Sequence, residues 1–224
     1  MEQYSIAIDG PAGSGKSSVS KEIAKILNIV YIDTGAMYRT VGLYCLRNHI
    51  NLDNAEEIQK ALQNIDMKIT LSEGKQTIYL NGEDVTETIR TQQAGKAASD
   101  VAVIYAVREK LVQIQRELSK GHSVIMDGRD IGTNVLPHAT VKIYLNASVE
   151  QRTNRRCHEL MLLGKEYDKK RIEYEIIQRD ENDKSRKYNP LRKAEDAIEI
   201  DNSNMDMEQT IKTILNIIKQ KINV

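Results

Sequence analysis

The sequence predicts an α/β protein with a central parallel sheet of about five strands flanked by helices, a small antiparallel β insertion and a helical lid. Three observations favour this fold. Short apolar runs alternate with amphipathic helical stretches along most of the chain. A strand, a glycine-rich loop, a helix and another strand follow one another within residues 5–32, which is the order of a βαβ unit. Residues 67–80 alternate with period two around a turn, which predicts a hairpin.

The first βαβ unit is predicted in detail by its apolar positions. Residues 5–8 have strand character, and residues 29–32 form a second short buried run. Between them, apolar residues recur on one helical face, namely Val19, Ile23, Ile26 and Leu27. The segment Asp33–Arg39 comes just after the second strand, where open α/β sheets place their ligands.

The next part of the chain predicts the insertion. A capping box formed by Asp53 and Glu56 predicts a short helix that runs to Asn64. Residues 67–71 and 76–80 then alternate between apolar and polar side chains, which predicts two antiparallel strands joined by a turn.

The second half of the chain returns to helices and buried strands. One long helix is expected from Thr91 to Lys120, with Gly121 as its stop. Three more buried strands are predicted, at 123–127, 141–145 and 197–200. Three more helices are predicted: one capped by Ser148 and ended by Gly164, one from Asp168, and a closing one over 207–218.

We expect one domain over residues 1–224. Its core comprises 1–60, 91–150 and 195–224, with the insertion at about 61–90 and an arginine-rich lid region at about 151–192.

Composition excludes several classes of protein. The 32 Lys and Arg residues balance the 32 Asp and Glu residues, so no overall field attracts nucleic acid or a membrane. The chain has no Phe or Trp for stacking on bases, and no apolar run long enough to span a bilayer. Cys45 and Cys157 lie outside any metal-binding spacing. We therefore expect a cytoplasmic protein, a monomer, with neither nucleic-acid nor membrane partners.

A phosphate-binding loop is predicted directly after the first strand. The spacing of its glycines, lysine and serine fits G-x-x-x-x-G-K-[ST]. Such a loop aims backbone N–H groups and a helix N-terminus at phosphate oxygens. We expect it to bind the triphosphate through Gly10, Pro11, Ala12, Gly13, Ser14, Gly15, Lys16, Ser17 and Ser18. Lys16 would add charge near the β- and γ-phosphates and the Ser17 hydroxyl would hold Mg²⁺, whereas the alternative is a ligand-free turn.

Arginines concentrate late in the chain. Residues 152–193 contain 13 Lys or Arg against 8 Asp or Glu. Arginine grips phosphate oxygens with a planar, permanently charged fork, so this cluster favours phosphoryl transfer over a solvated helix face. Arg179, Asp183 and Arg186 are spaced to share a helical face, on which the carboxylate would orient both guanidiniums.

The sequence resembles the bacterial-type cytidylate kinases, a family of P-loop nucleoside monophosphate kinases. The matching stretches span nearly the whole chain: Ile8–Ser17, Asp33–Arg39, Ile89–Thr91 with Ala97–Ser99, Asp127–Thr133, and Arg179–Arg186. The resemblance implies transfer of the γ-phosphoryl group of ATP to CMP or dCMP, with Mg²⁺.

The resemblance also implies roles for single residues. Four are expected in catalysis, namely Lys16, Arg129, Arg155 and Arg186. Arg155 and Arg156 belong to the lid over the ATP phosphates. The acceptor nucleotide is expected to contact Thr34, Arg39, Ser99, Arg108, Arg129, Asp130, Arg179, Asp183 and Arg186. Among these, Arg39, Arg129 and Arg186 surround its phosphate, Ser99, Arg108 and Asp130 read its base, and Arg179 and Asp183 approach its sugar.

The role of one residue remains open, and two other residues depart from the family pattern. Asp127 either holds a water on the Mg²⁺ or orients Arg129. Asn134 and His138 stand where Val and Asp are expected, and we interpret both as loop variation, with His138 on the surface. The late helices are expected to close over bound nucleotides and exclude water.

Two other functions remain possible from the residues alone. One is a phosphotransferase with a different small acceptor. The other is a P-loop switch, against which the chain lacks an N-K-x-D guanine-reading motif.

Overall fold

The computed structural model describes residues 3–72 and 75–222 and contains eight strands and eight α-helices in that part of the chain. The strands are β1 (Ser5–Asp9), β2 (Val30–Asp33), β3 (Met67–Ser72), β4 (Lys75–Leu80), β5 (Glu83–Asp84), β6 (Val124–Gly128), β7 (Val141–Asn146) and β8 (Ile198–Asp201). The helices are α1 (Lys16–Leu27), α2 (Thr34–Arg47), α3 (Ala55–Ala61), α4 (Gln92–Val101), α5 (Tyr105–Leu118), α6 (Val149–Leu162), α7 (Lys169–Ser185) and α8 (Met207–Ile222). None of these helices is both long enough and apolar enough to cross a membrane.

Five parallel strands form the central sheet in the order β2-β6-β1-β7-β8. The remaining three form a small antiparallel sheet in the order β3-β4-β5. The predicted fold class is therefore confirmed. The turn predicted between β3 and β4 includes residues 73 and 74, which lie outside the described residues.

Apolar side chains of the central sheet divide between two cores because successive residues of a strand point to opposite faces. In β1, Ile6 and Ile8 pack with α1 and α8, whereas Ala7 packs on the other side with α2, α4 and α5. In β6, Ile125 joins the first core, and Val124 and Met126 join the second. Helices thus cover both faces of the sheet.

The register of the strands brings three polar ends to one edge of the sheet. Asp33 at the end of β2 is level with Asp127 of β6, and Asp9 at the end of β1 is level with Gly128. Because parallel strands share their carboxyl edge, the segments that follow β1, β2 and β6 converge there.

Residues 34–39 are the start of a helix, which the sequence interpretation missed. Asp33 is the N-cap of α2, and its Oδ1 accepts a hydrogen bond from the Ala36 amide at 2.9 Å. The helix then packs on α4 at Gly42, where an added Cβ would lie 2.9 Å from the Ala97 Cβ. This close approach of two helices requires the glycine.

The predicted capping box is wrong by one residue. The cap of α3 is Asn54, whose Oδ1 accepts from the amides of Glu56 and Glu57 at 3.1 and 3.2 Å. Asn54 has extended backbone angles that aim its side chain at these amides, whereas Asp53 lies one residue too early.

The long helix predicted over 91–120 is two helices. Ile104 is extended, with φ −86° and ψ 122°, and separates α4 from α5. The Ala102 carbonyl, released from a continuous helix, accepts a hydrogen bond from Arg108 Nη1 at 3.2 Å. Gly121, with φ +80°, lies two residues beyond the C-cap Ser119 rather than directly after it.

The first late helix begins and ends as predicted, and the second begins as predicted. Ser148 Oγ accepts from the Gln151 amide at 3.2 Å, Asp168 caps α7, and Gly164 takes a φ of +65° between the helices. Their mutual contact buries a small separate cluster of Cys157, Leu160 and Ile172.

Candidate functional site

A cleft of about 490 Å³ opens at the carboxyl edge of the central sheet. The structure brings the predicted residues outside the phosphate loop together in its lining, namely Thr34, Arg39, Ser99, Arg108, Asp127, Arg129, Asp130, Arg155, Arg156, Arg179, Asp183 and Arg186. The loop contributes Ala12, Gly13, Gly15, Lys16, Ser17 and Ser18, whereas Gly10, Pro11 and Ser14 lie behind this lining. Residues from distant parts of the sequence therefore share one cavity.

The loop between β1 and α1 is held tightly against the sheet. An added Cβ at Gly10 would lie 2.1 Å from the Leu145 carbonyl oxygen, so only glycine fits there. Lys16 is only 5% exposed, and its Nζ donates to the Pro11 carbonyl at 2.6 Å and to Ser14 Oγ at 3.3 Å. Burial, and next the Arg129 guanidinium, lower the pKa of the Lys16 ammonium. The lysine is thus placed under the loop, at the mouth of the cleft.

Oxygen atoms suited to a magnesium ion lie beside the loop. Ser17 Oγ donates to Asp127 Oδ2 at 2.7 Å, and Tyr31 OH donates to Asp127 Oδ1 at 2.8 Å. Hydroxyl and carboxylate oxygens are hard ligands, and Mg²⁺ commonly takes one or two of them together with waters and substrate phosphates. Within residues 3–72 and 75–222 no group of three or more His, Cys, Asp or Glu side chains could hold a metal. The hydroxyl of Ser17 and the carboxylate of Asp127 are donors of the type that Mg²⁺ accepts.

Asp127 itself is fixed by its neighbours. Burial, and next the Asp33 carboxylate, raise the pKa of Asp127. Its backbone oxygen accepts from Thr34 Oγ1 at 2.7 Å, which links it to the start of α2. Among the described residues no hydrogen bond joins its carboxylate to Arg129. Of the two roles considered for Asp127, direct orientation of Arg129 finds no support in this geometry.

Asp183 holds two arginines of the cleft. It is 1% exposed, and its Oδ2 accepts from Arg129 Nε at 2.6 Å while its Oδ1 accepts from Arg186 Nη2. Burial raises the pKa of Asp183, but the Arg129 and Arg186 charges outweigh it, so that the pKa lies below its usual value. The predicted pairing with Arg179 is wrong in this detail. Arg186 is the C-cap of α7, beyond its regular turns, and Arg129 reaches Asp183 from the end of β6.

The remaining guanidiniums make the cleft strongly positive. Burial, and next Arg129, lower the pKa of Arg179 to about 10, and Arg39 and Arg186 act in the same direction. The buried Nε atoms of Arg39, Arg179 and Arg186 find no partner in the described part of the chain. Since unpartnered buried donors are costly, these atoms indicate a site that is completed by an anion.

A buried ion pair lies at another side of the cleft. Arg108 Nη2 donates to Asp130 Oδ2 at 2.6 Å, and these side chains are 2% and 7% exposed. Asn134 Nδ2 donates to the same oxygen at 2.9 Å, and the Arg108 guanidinium lies 5.8 Å from the centre of the Tyr38 ring. The interpretation of Asn134 as loop variation is therefore wrong, whereas His138 is exposed as expected.

The two predicted lid arginines differ in their surroundings. Arg155 donates to the Ser14 carbonyl at 3.2 Å and to the Asn202 carbonyl at 2.8 Å, which holds it against the phosphate loop. Burial lowers the pKa of Arg155. Arg156, whose side chain is 35% exposed, pairs with Glu159 at 2.7 Å.

Sequence reasoning gave no individual role to Arg152, which is more deeply buried than either lid arginine. Its guanidinium pairs with Asp180 at 2.7 Å and donates to the Ala12 carbonyl at 3.0 Å. The only sequence signal was its place in the arginine run, three and four residues before Arg155 and Arg156 on the same helical face.

Two further buried polar residues near the cleft were missed. Asp9 accepts from the amides of Ile131 and Gly132 at 2.8 and 2.7 Å, and burial raises its pKa to about 7. These bonds hold a short π-helical turn, Ile131–Val135, that follows Asp130. Gln115 lines the cleft, is 1% exposed, and has an Nε2 without a partner among the described residues. Asp9 lies within the matching stretch Ile8–Ser17 but was given no role of its own, and Gln115 belongs to none of the matching stretches.

Comparison with known proteins identifies the family of the chain. A family model described as cytidylate kinase matches residues 6–220. The chain is 49% identical to the cytidylate kinase of Caldicellulosiruptor bescii over 96% of its length and 95% of that protein, and 51% identical to that of Caldicellulosiruptor saccharolyticus with the same coverage. It is 44% identical to a cytidylate kinase of Bacillus cereus over 97% of its length and 96% of that protein.

A solved structure of an uncharacterised protein from Eubacterium ventriosum has the same fold at a TM-score of 0.51 and 15% identity, covering 97% of this chain and 99% of that one. At that identity the likeness concerns the fold alone. Family membership rests instead on the match that spans residues 6–220 and on relatives that align over nearly their whole length. The chain belongs to the cytidylate kinase family of phosphotransferases.

Proposed function

We propose that the protein transfers the γ-phosphoryl group of ATP to CMP or dCMP, giving ADP and the corresponding diphosphate. One observation carries this proposal. Arg39, Arg129 and Arg186, from three distant parts of the chain, line the same cleft as Lys16 of the phosphate loop. A protein that bound only a triphosphate would not need a second set of guanidiniums there.

The donor half of the site is formed by the phosphate loop. Its backbone amides and the N-terminus of α1 face the triphosphate, and Lys16 supplies a positive charge. Ser17, with Asp127 acting through a water, would hold Mg²⁺, which supplies further positive charge to the β- and γ-phosphates. The lid arginines Arg155 and Arg156 would complete the donor half of the site after the lid closes.

The acceptor half stabilises and orients an anionic nucleophile. A nucleoside monophosphate already carries the attacking oxygen in ionised form, so no general base is required. Arg39, Arg129 and Arg186 would grip this phosphate, and Asp183 keeps the last two guanidiniums in fixed orientations. Charge that develops on the migrating phosphoryl group then meets preorganised guanidiniums rather than water.

Recognition of cytosine would take place at the buried ion pair. The exocyclic amine of cytosine donates to the Asp130 carboxylate, while its N3 and O2 atoms accept from Arg108 and Ser99. Uracil presents an oxygen in place of the amine and would face Asp130 lone pair to lone pair. Arg179 and Asp183, near the phosphate subsite, would contact the sugar.

The helices α6 and α7 would form the lid, and the small sheet would form an insertion beside the acceptor. Cys45 and Cys157 are free and buried, which suits the reducing cytoplasm, where we expect the protein to act as a monomer. Hydrogen exchange with and without a bisubstrate analogue tests the lid. Protection of 151–192 should increase, and unchanged protection would refute closure.

The acceptor is identified by measuring ADP release with a panel of nucleoside monophosphates. Activity with CMP and dCMP supports the proposal, whereas activity with another acceptor favours a different kinase. Slow hydrolysis that is independent of any acceptor favours a switch.

Two matched pairs of variants test the roles of the cations. Lys16→Ala and Arg129→Ala should each lower kcat by about 100-fold or more, as expected for lost charge stabilisation. Their controls, Lys25→Ala and Arg171→Ala, remove exposed charges outside the cleft and should retain the activity of the unmodified protein. A cleft variant that behaves like its control contradicts the role assigned to that residue.

Asp130→Asn tests base recognition. The amide can donate as well as accept, so discrimination between CMP and UMP should decrease. Unchanged selectivity would refute the assignment of Asp130.

A further inference from the structure

One carboxylate of the cleft has its hydrogen bonds on a single oxygen. Asp130 Oδ2 accepts from Arg108 Nη2 at 2.6 Å and from Asn134 Nδ2 at 2.9 Å. Within residues 3–72 and 75–222 no donor lies on Oδ1, and Asp130 keeps 7% of its side chain exposed while lining the cleft. Oδ1 is therefore the oxygen left for a ligand.

The orientation of the Asn134 amide is determined by its partner. An ionised carboxylate only accepts hydrogen bonds, so the side chain of Asn134 must turn its NH₂ group toward Asp130. The backbone fixes its position independently. The backbone N–H of Asn134 donates to the backbone carbonyl of Asp130 at 2.9 Å, and the backbone carbonyl of Asn134 accepts from Arg116 Nη2 at 2.6 Å.

We propose that Asn134 is a positioning residue for recognition of the acceptor base, acting through Asp130. This inference rests on the proposed function. Together with Arg108, Asn134 holds Oδ2 toward the protein, so that Oδ1 stays directed at the exocyclic amine of cytosine.

The torsion of an aspartate carboxylate is broad, so the orientation of Asp130 depends on these bonds. With only Arg108 on Oδ2, the carboxylate can turn and present either oxygen. A base with an acceptor in place of the amine would then meet less repulsion. Loss of the hydrogen bond from Asn134 should therefore appear as weaker binding of CMP and poorer rejection of UMP.

The experiment compares Asn134→Ala and Asn134→Asp with the unmodified protein. KM and kcat are measured for CMP and UMP, and dissociation constants for both nucleotides are measured by calorimetry without ATP. For Asn134→Ala, KM for CMP and the CMP dissociation constant should rise by about three- to tenfold, the range set by the net value of one hydrogen bond. The kcat value should change less than KM, and the preference for CMP over UMP should fall by a similar factor.

Asn134→Asp should have a larger effect, because a second carboxylate cannot donate and repels the first. Asn216 is an exposed asparagine on α8, and Asn216→Ala and Asn216→Asp serve as matched controls. Neither control should change the preference for CMP.

Two outcomes contradict the inference or its basis in different ways. If Asn134→Ala lowers the melting temperature but leaves the preference for CMP unchanged, the role of Asn134 is only structural and the inference is wrong. If the unmodified protein neither binds nor phosphorylates CMP, the proposed function itself fails and this inference fails with it. Both backbone bonds of Asn134 survive in the alanine variant. Should that variant nevertheless unfold, Asn134→Asp, with nearly the same volume, decides by the same criterion.

Discussion

Among residues 3–72 and 75–222, Asp183 is the carboxylate that pairs with both Arg129 and Arg186, so its removal should destabilise the protein. Asp183→Asn keeps the size of the side chain but removes its charge. Asp183 is 1% exposed, and the side chains of Arg129 and Arg186 are 18% and 5% exposed, so water screens little of the interaction. Removing one partner of a buried pair typically costs 3–5 kcal/mol, and we expect the free energy of unfolding to fall by about 3 kcal/mol.

The control is an ion pair with the same distance between its charged atoms, but its side chains are exposed rather than buried. Glu117 and Lys120 also lie 2.6 Å apart, but these side chains are 72% and 71% exposed. Glu117→Gln should therefore change the free energy of unfolding by less than about 0.5 kcal/mol. Urea denaturation at neutral pH gives both values. If Asp183→Asn costs no more than Glu117→Gln, burial does not make Asp183 the anchor of these arginines.

The same comparison at different pH values tests the electrostatic origin of the effect. The pKa of Asp183 is below its unfolded value, so its ionised form stabilises the fold at every pH above that unfolded value, about 4. The difference between the unmodified protein and Asp183→Asn should persist down to about pH 4 and shrink as the pH falls further. A difference that is constant below pH 4 would contradict this explanation.

Three further variants test other features. Tyr31→Phe removes one of the two side-chain hydrogen bonds to the Asp127 carboxylate and should raise the Mg²⁺ concentration needed for half-maximal turnover. An unchanged Mg²⁺ titration would refute a positioning role for Tyr31. Asn54→Ala removes the cap of α3 and should lower the free energy of unfolding by about 1 kcal/mol with normal turnover, as measured by urea denaturation and ADP release. Gly42→Ala forces a Cβ against Ala97 and its backbone and should cost about 1–3 kcal/mol in the same denaturation assay; a neutral result would mean that α2 can shift.

The central sheet was predictable because its signals are local. Residues 5–33 contain a strand, a loop with fixed glycine spacing, an amphipathic helix and a second strand without interruption. Each of these patterns depends on neighbours within a few residues, so a single sequence carries them.

Helix α2 was not predictable in this way. Its sequence includes Thr34, Gly35 and Gly42, which are weak helix formers, and its first turn was interpreted only as a ligand segment. The helix is stabilised instead by the Asp33 cap and by packing on α4. Likewise, the apolar pattern over 91–120 continues through Ile104, so it does not reveal that the backbone breaks there.

For the candidate site, too, the sequence predicted which residues take part better than it predicted which of them contact one another. The arginines that the motifs singled out do line the cleft, but the motifs did not single out Arg152, which lines it as well, or indicate which carboxylate each arginine contacts. Asp183 and Arg129 are 54 residues apart, and their contact depends on how α7 packs beside the end of β6. The Asn134 bond to Asp130 depends in turn on the π-helical turn that Asp9 holds.

The buried bonds of Arg152 determine how the late helices can move. This side chain links the start of α6 to the phosphate loop at Ala12 and to α7 at Asp180, so a rigid displacement of both helices together would keep the pair with Asp180 but break the bond to Ala12. In the proposed closure, Arg152 would be the pivot of α6, and the exposed apolar tip at Met161–Leu163 would be the far end of this lever. At 1.5 Å per residue the lever is about 15 Å long, so that a tilt of about 20° carries the tip roughly 5 Å.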